Sequence, residues 1–154
     1  MSPTDEWVDD AAASGLRISF MDPPKLTKSP FFTPTPEMKE KATALRDEVH
    51  ALLQKQATEV VTDVSAPGFY SRLFVVPKPG GRWRPVIDLS TLNRHIKAPR
   101  FQMETAQALR AFISPGDYAV SLDLRDAFLH VPVHRSARRY LKFGFEGVGF
   151  QFRT

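Results

Sequence analysis

The spacing of apolar residues changes character along this chain. Met38, Ala42, Leu45, Val49, Leu52 and Leu53 recur every three or four residues, the stripe of an amphipathic helix. Thr35-Pro36-Glu37 offers a hydroxyl cap, a proline at the first helical position and an acid at the positive end of the dipole. The pattern therefore predicts a helix from there to about Ala57, roughly 30 Å long at ~1.5 Å per residue. After Pro67-Gly68 the period shortens to two. Residues 71 to 78 and 82 to 89 read as the arms of a β-hairpin, joined by Pro79-Gly80-Gly81, whose glycines tolerate the positive φ of a tight turn. Ser90 to Arg100 reads as turn and irregular chain stopped by Pro99, and Gln102 to Ile113 as a second helix closed by Ser114-Pro115-Gly116. Tyr118 to Leu122 reads as a strand entering a sheet, and residues 124 to 130 as a turn or short helix. Tyr140 to Phe145 and Phe150 to Phe152 read as a terminal hairpin across Gly147-Val148-Gly149; a further reading, of a degraded or partial product that does not fold stably, leaves its last strand unpaired as an edge open to aggregation. Residues 1 to 35, with prolines at 23, 24, 30 and 34 and no sustained period, read as a flexible or loosely draped leader.

Composition narrows the classes. With 154 residues, 42% of them apolar and 25% charged, the chain has the material for one α+β domain with a modest core. It contains no cysteine, which rules out disulfides and thiolate metal sites and is compatible with a reducing interior. No apolar run approaches membrane-spanning length, and the N-terminal Asp5, Glu6, Asp9 and Asp10 do not make a cationic secretory leader. An intracellular protein, cytoplasmic or nuclear and not secreted, is the expectation. The net charge of +4 hides an asymmetry: residues 1 to 70 carry −4 and residues 71 to 154 carry +8. Arg72, Lys78, Arg82, Arg84, Arg94, Lys97 and Arg100 share a stretch whose sole acid is Asp88, a pattern suited to polyanions such as nucleic acid or a nucleoside triphosphate. Taken singly, each of these cations reads as solvated surface.

The candidate chemistry centres on Asp123. A carboxylate at the end of an apolar strand faces a cleft, and hard carboxylate oxygens suit Mg²⁺ in phosphoryl transfer. Its bland reading, taken alone, is a helix N-cap. Asp126, His130 and His134 are spaced by four, as helical metal ligands can be, but Pro132 breaks that helix and disfavours zinc. Asp88, Ser90, Thr91 and His95 lack a nucleophile-elbow context and read as turn chemistry, with Asn93 holding the local backbone.

Gly68-Phe69-Tyr70-Ser71-Arg72, the run from Phe74 to Leu89 and the Asp123-Leu124-Arg125-Asp126-Ala127-Phe128 segment occur in an order and spacing that resemble the fingers and early palm of a retroelement reverse transcriptase, of the LTR or tyrosine-recombinase (DIRS-like) type. The resemblance runs from about Glu37 to Thr154. It implies an α+β fold with fingers over 36 to 117 and the beginning of a palm over 118 to 154. It also implies an RNA-directed DNA polymerase as the parent activity. In that scheme Asp123 is the first catalytic aspartate and, with the Leu124 carbonyl, a ligand of Mg²⁺ or Mn²⁺. Lys78 and Arg84 grip the deoxynucleoside triphosphate, Arg being suited by its planar fork. Asp126, Ala127 and Phe128 lie at the nucleotide, where the Phe128 ring excludes a 2′-hydroxyl; its bland reading is a core phenylalanine. Arg72, Arg82, Trp83 and Arg94 belong to the template-primer side, Trp83 wedging the hairpin against its neighbours.

The resemblance departs from the family in one place and stops short in another. Pro79-Gly80-Gly81 stands where relatives often carry Lys-Asp-Gly, one cation fewer at the tip. The family's Leu-Pro-Phe-Gly and Tyr-x-Asp-Asp segments do not occur in these 154 residues. The expectation is therefore that metal binds only with the further palm aspartates, that this chain alone is inactive, and that its partners are RNA or DNA template-primer, deoxynucleotides and the rest of a polymerase polyprotein. Nothing here resembles the ribonuclease H carboxylate cluster such parents often carry. The rival reading is a noncatalytic nucleic-acid-binding relic or exapted module.

Overall fold

The computed structural model describes residues 3–63, 65–98 and 105–154. Its elements in chain order are helix α1 (Pro3–Ser14), strand β1 (Phe32–Thr33), helix α2 (Lys39–Gln54), strands β2 (Thr58–Val60), β3 (Tyr70–Lys78) and β4 (Arg82–Asp88), short helices α3 (Ser90–Asn93) and α4 (Ala106–Arg110), a 3-10 turn at Ala127–His130, helix α5 (Arg135–Arg138), and strands β5 (Lys142–Phe145) and β6 (Val148–Phe152). The fold is mixed α and β, as the sequence implies. One sheet of order β2-β6-β5-β3-β4, with β1 added in parallel to β5, organises it. Among the described residues no helix is long and apolar enough to cross a membrane.

The apolar stripe of α2 explains where the core lies. Ala42, Leu45, Val49 and Leu52 are its buried positions, as the period requires. Leu45 and Val49 pack with Leu73, Phe143, Phe145 and Phe150, and Leu53, Val75, Ile87 and Phe152 close the cluster. The Phe143 ring stacks on Phe150 at 5.1 Å between centroids. The helix starts later than expected, with Met38 as an extended N-cap that makes no side-chain bond.

Two hairpins follow their turn chemistry. In β3–β4, Lys78 pairs with Arg82 and Gly80 and Gly81 take φ of +86° and +71°, the conformation the sequence anticipates. In β5–β6 the turn is Glu146-Gly147, both at positive φ, and Val148 and Gly149 join the strand rather than the loop. The expectation of an unpaired last strand is also corrected. β6 is interior, flanked by β5 and by β2, which pairs Thr58 with Phe152.

The leader is not draped. α1 forms over its start, and the chain beyond it is stitched to the body at successive points: Leu16 bridges Val133, Phe20 bridges Ile96, and Thr27 bridges Gly68. Phe20 packs on Tyr140 with ring centroids 4.5 Å apart, and the Thr33 hydroxyl accepts from the Leu73 amide at 2.9 Å. Prolines interrupt the helical period here without preventing single β-bridges, which need two residues each.

Residues 105–130 differ most from expectation. α4 spans Ala106–Arg110, capped by the Thr105 hydroxyl accepting from the Ala108 amide at 3.1 Å; the start of the anticipated helix at Gln102 and Met103, like Pro99 and Arg100, lies outside the described residues. Tyr118 to Leu122 forms no strand, and Tyr118, Val120 and Leu122 are exposed. A strand needs a neighbour's hydrogen bonds, and this segment pairs with no strand among the described residues.

Candidate nucleic-acid interface

The hairpin sorts its residues by the alternation of its strands. Directly opposed residues share a face, and the register pairs Arg72 with Asp88, Phe74 with Val86, Val76 with Arg84, and Lys78 with Arg82. All four hairpin cations therefore stand on one face. The other face carries Leu73 with Ile87, Val75 with Pro85, and Pro77 with Trp83, and it is the face that meets α2. The row from Arg72 to Lys78 extends about 20 Å at ~3.3 Å per residue. Arg72, Lys78, Arg82 and Arg84 are exposed, and Phe74, Val76 and Val86 are half-buried between them. The Arg72 guanidinium lies 5.8 Å from the Phe74 ring centroid. These interleaved apolar residues were missed by sequence reasoning; the two-residue alternation that assigns the strands already places them there.

At the root of this row the Asp88 carboxyl accepts from the Ser90 amide at 3.1 Å and from its hydroxyl at 2.5 Å. Those bonds, with the positive charges of Arg72 and Arg94 adding to them, hold Asp88 below the usual carboxylate range. This start of α3 is the turn chemistry read from Asp88 to Asn93, and it keeps Arg94, also exposed, beside the cationic row. His95 is occupied elsewhere, its Nδ1 2.9 Å from the Asp22 carbonyl.

Of the four hairpin cations, Trp83 is brought together with Arg82, which lines the same groove beside α2. Trp83 is half-buried on the α2 side, with the Lys41 ammonium 4.5 Å from its ring centroid. There it lines a groove of about 670 Å³ with Glu40, Asp47 and Glu48 of α2.

Asp123 is exposed and takes part in no hydrogen bond or ion pair among the described residues. It does not cap a helix: the 3-10 turn begins at Ala127, and its N-cap is Asp126, at φ +54°. Asp126 is turned to α2, where its carboxylate meets the Lys55 ammonium at 2.9 Å; that bond and the charge hold its pKa down. Ala127 and Phe128 are exposed, Phe128 at 92%, so Phe128 is not a core residue. Leu124 is exposed as well. His130 Nε2 lies 3.0 Å from the Arg125 carbonyl, and His134 Nδ1 2.8 Å from the Ser136 hydroxyl, so the spaced triad is engaged at three separate places. Among the described residues no group of three His, Cys, Asp or Glu stands close enough to hold a metal ion. A lone exposed carboxylate offers one donor, which does not fit Mg²⁺ on its own.

No protein-family model matches the chain. Among curated proteins it is similar to the Gag-Pro-Pol polyprotein of bovine leukemia virus, 31% identical over 134 residues that make up 87% of this chain and 9% of the polyprotein. It is also similar to Protein P of hepatitis B virus, 34% identical over 68 residues, 42% of this chain and 8% of that protein. Among solved structures it matches the foamy viral protease-reverse transcriptase in complex with double-stranded DNA, with a TM-score of 0.59 and 15% identity over 99% of this chain and 32% of that one. The chain thus spans less than a tenth of the curated relatives and about a third of the solved one.

Proposed function

We propose that this chain, similar to retroviral polyproteins and sharing the fold of part of a reverse transcriptase, supplies the nucleic-acid-gripping and nucleotide-gripping portion of an RNA-directed DNA polymerase. One observation carries the reading: Arg72, Lys78, Arg82 and Arg84 emerge on a single exposed face of the β3–β4 hairpin while its other face is spent on the core. A one-sided row of cations with half-buried apolar residues between them suits a phosphate backbone and the bases it carries.

Within it Lys78 and Arg84 take the triphosphate, and Arg72, Arg82 and Arg94 the template-primer phosphates. Trp83 contributes from the far side by fixing the hairpin on α2. Asp123 and the Leu124 carbonyl supply one edge of a divalent-metal site whose remaining donors come from other polymerase residues. Bound Mg²⁺ or Mn²⁺ would stabilise charge on the transferring phosphoryl group. Ala127 and Phe128 border the sugar, and the exposed Phe128 ring is free to do so. Asp126 acts through its backbone, its carboxylate being held by Lys55.

By itself the chain binds nucleic acid without extending primers. Primer-extension assays on this chain and on a protein continued through further polymerase sequence test the assignment. Extension is expected from the longer protein alone and should vanish in Asp123→Ala; a longer Asp123→Ala protein that still polymerises overturns the metal role. An active short chain overturns the division of labour.

A further inference from the structure

We propose that Lys142 is a positioning residue for the basic hairpin: its buried ammonium, passing beneath Gly68 to the Ala66 carbonyl, sets the direction in which β3 leaves the sheet. The proposal rests on reading the hairpin as the phosphate-binding face, and it concerns what aims that face.

The hairpin has a narrow root. β3 is nine residues long, yet only Tyr70 and Ser71 pair with β5, opposite Lys142 and Phe143. Beyond that rung the ribbon is held by α2 on one face and by the Thr33 hydroxyl at the Leu73 amide. Its aim where it leaves the sheet depends on residues 66 to 71 together with that contact. Three fastenings converge there. Gly68 and Thr27 exchange backbone hydrogen bonds at 2.9 Å each; the Phe69 amide donates to the Arg139 carbonyl at 2.8 Å; the Lys142 amide donates to the Phe69 carbonyl at 3.2 Å. Lys142 adds the side-chain fastening from below. Its residue is 3% exposed, and its Nζ donates to the Ala66 carbonyl at 3.3 Å and lies 5.8 Å from the Tyr70 ring centroid.

Gly68 shows that this fit is specific. The three atoms nearest to a Cβ built there are the Cδ, Cε and Nζ of Lys142, and the Cδ would overlap it. The lysine stem occupies the room a side chain at 68 would need. The same sheet face carries Tyr70, Lys142, Gln151 and Glu59 across paired positions, continuing the row that begins at Arg72. Lys142 is thus the first cation of that face, turned inward where the others are turned out.

A methionine of similar length would fill the same space without desolvating a charge. What the lysine adds is a directional bond. The charged and titratable groups around it are few: Asp63 on the loop before β3, Glu59 on β2, already bound to Arg138 and Gln151, and the Tyr70 phenol. Burial pushes the Lys142 ammonium down, and Asp63 opposes that only in part. The group is costly in place, which is consistent with a geometrical use.

Amide hydrogen exchange on the full chain, compared between the native protein and Lys142→Met, tests this. The variant should unfold at the same or a higher midpoint, while the amides of Gly68, Phe69 and the β3–β4 ladder exchange at least tenfold faster and those of β5–β6 stay within twofold. Affinity for an oligothymidine should fall threefold or more. Gly68→Ala, which displaces the stem while keeping the lysine, should reproduce the pattern. Unchanged exchange at Gly68 and Phe69, uniform acceleration through the core, or a Lys142→Met chain that does not fold would each overturn the positioning role. If neither protein binds oligothymidine, the phosphate-face reading fails while the exchange data still decide the role of Lys142.

Discussion

Replacing Arg84 by alanine on the cationic face, with Lys41→Ala on the opposite face as its partner, turns the one-sided hairpin into a measurable slope. Arg84 stands on the face shared with Arg72, Lys78 and Arg82, whereas Lys41 belongs to α2 and sits against Trp83. With no triphosphate present, Lys78 and Arg84 are free to join Arg72 and Arg82 on a single strand; because Arg72 is directly opposed by Asp88, the face then offers three to four effective phosphate contacts. Each contact with a single strand contributes a salt slope of about −0.7, which gives about −2 to −3 for the native chain. Between 50 and 200 mM salt the affinity for an oligothymidine should then fall about twenty- to fifty-fold, and only about seven- to twenty-fold for Arg84→Ala. Fluorescence anisotropy over a salt series measures both, and circular dichroism checks that each variant remains folded. Lys41→Ala should keep the native slope. The reasoning is refuted if Arg84→Ala leaves the slope unchanged, or if Lys41→Ala lowers it by as much.

Other outcomes follow from the core and its polar seams. Phe143→Ala, at a fully buried ring stacked on Phe150, should cost about 3–5 kcal/mol in chemical denaturation, a large fraction of the ~5–15 kcal/mol that holds a typical domain. Gly144→Ala should cost about 1–3 kcal/mol, because its Cβ would run into the Phe31 carbonyl and the Phe32 ring where β1 adds to β5. Glu59 is pushed up by burial but more than offset by hydrogen bonds from Gln151 and Arg138 and by the charges of Arg138 and Arg153, so its pKa is lowered below 4.5. Its stabilisation is therefore present above about pH 4.5 and is lost as pH falls through the depressed value. Glu59→Gln should cost about 1–2 kcal/mol at pH 7, a modest figure because the carboxylate is a third exposed, and its midpoint should converge with the native one on acidification.

What the sequence determined by itself was local and periodic. The stripe from Ala42 to Leu52 identified the buried face of α2 because a helix repeats every ~3.6 residues whatever surrounds it. Pro79-Gly80-Gly81 specified its turn because glycine alone takes those φ values without strain, and two-residue alternation fixed which hairpin residues share a face. The charge asymmetry and the order of motifs indicated a reverse transcriptase fragment, in keeping with the viral polyproteins and the solved fold that the chain is similar to.

Tertiary structure decided everything that needs a partner. Tyr118 to Leu122 has the composition of a strand, but composition does not supply the neighbouring ladder a strand needs, and the segment pairs with no strand among the described residues. Residues 15 to 33 have no period, yet they bridge Val133, Ile96, Gly68 and Gly144 through backbone groups that any residue carries and no side-chain pattern announces. Lys142 counts in the sequence as one more cation; only the loop folded over it makes it a buried one.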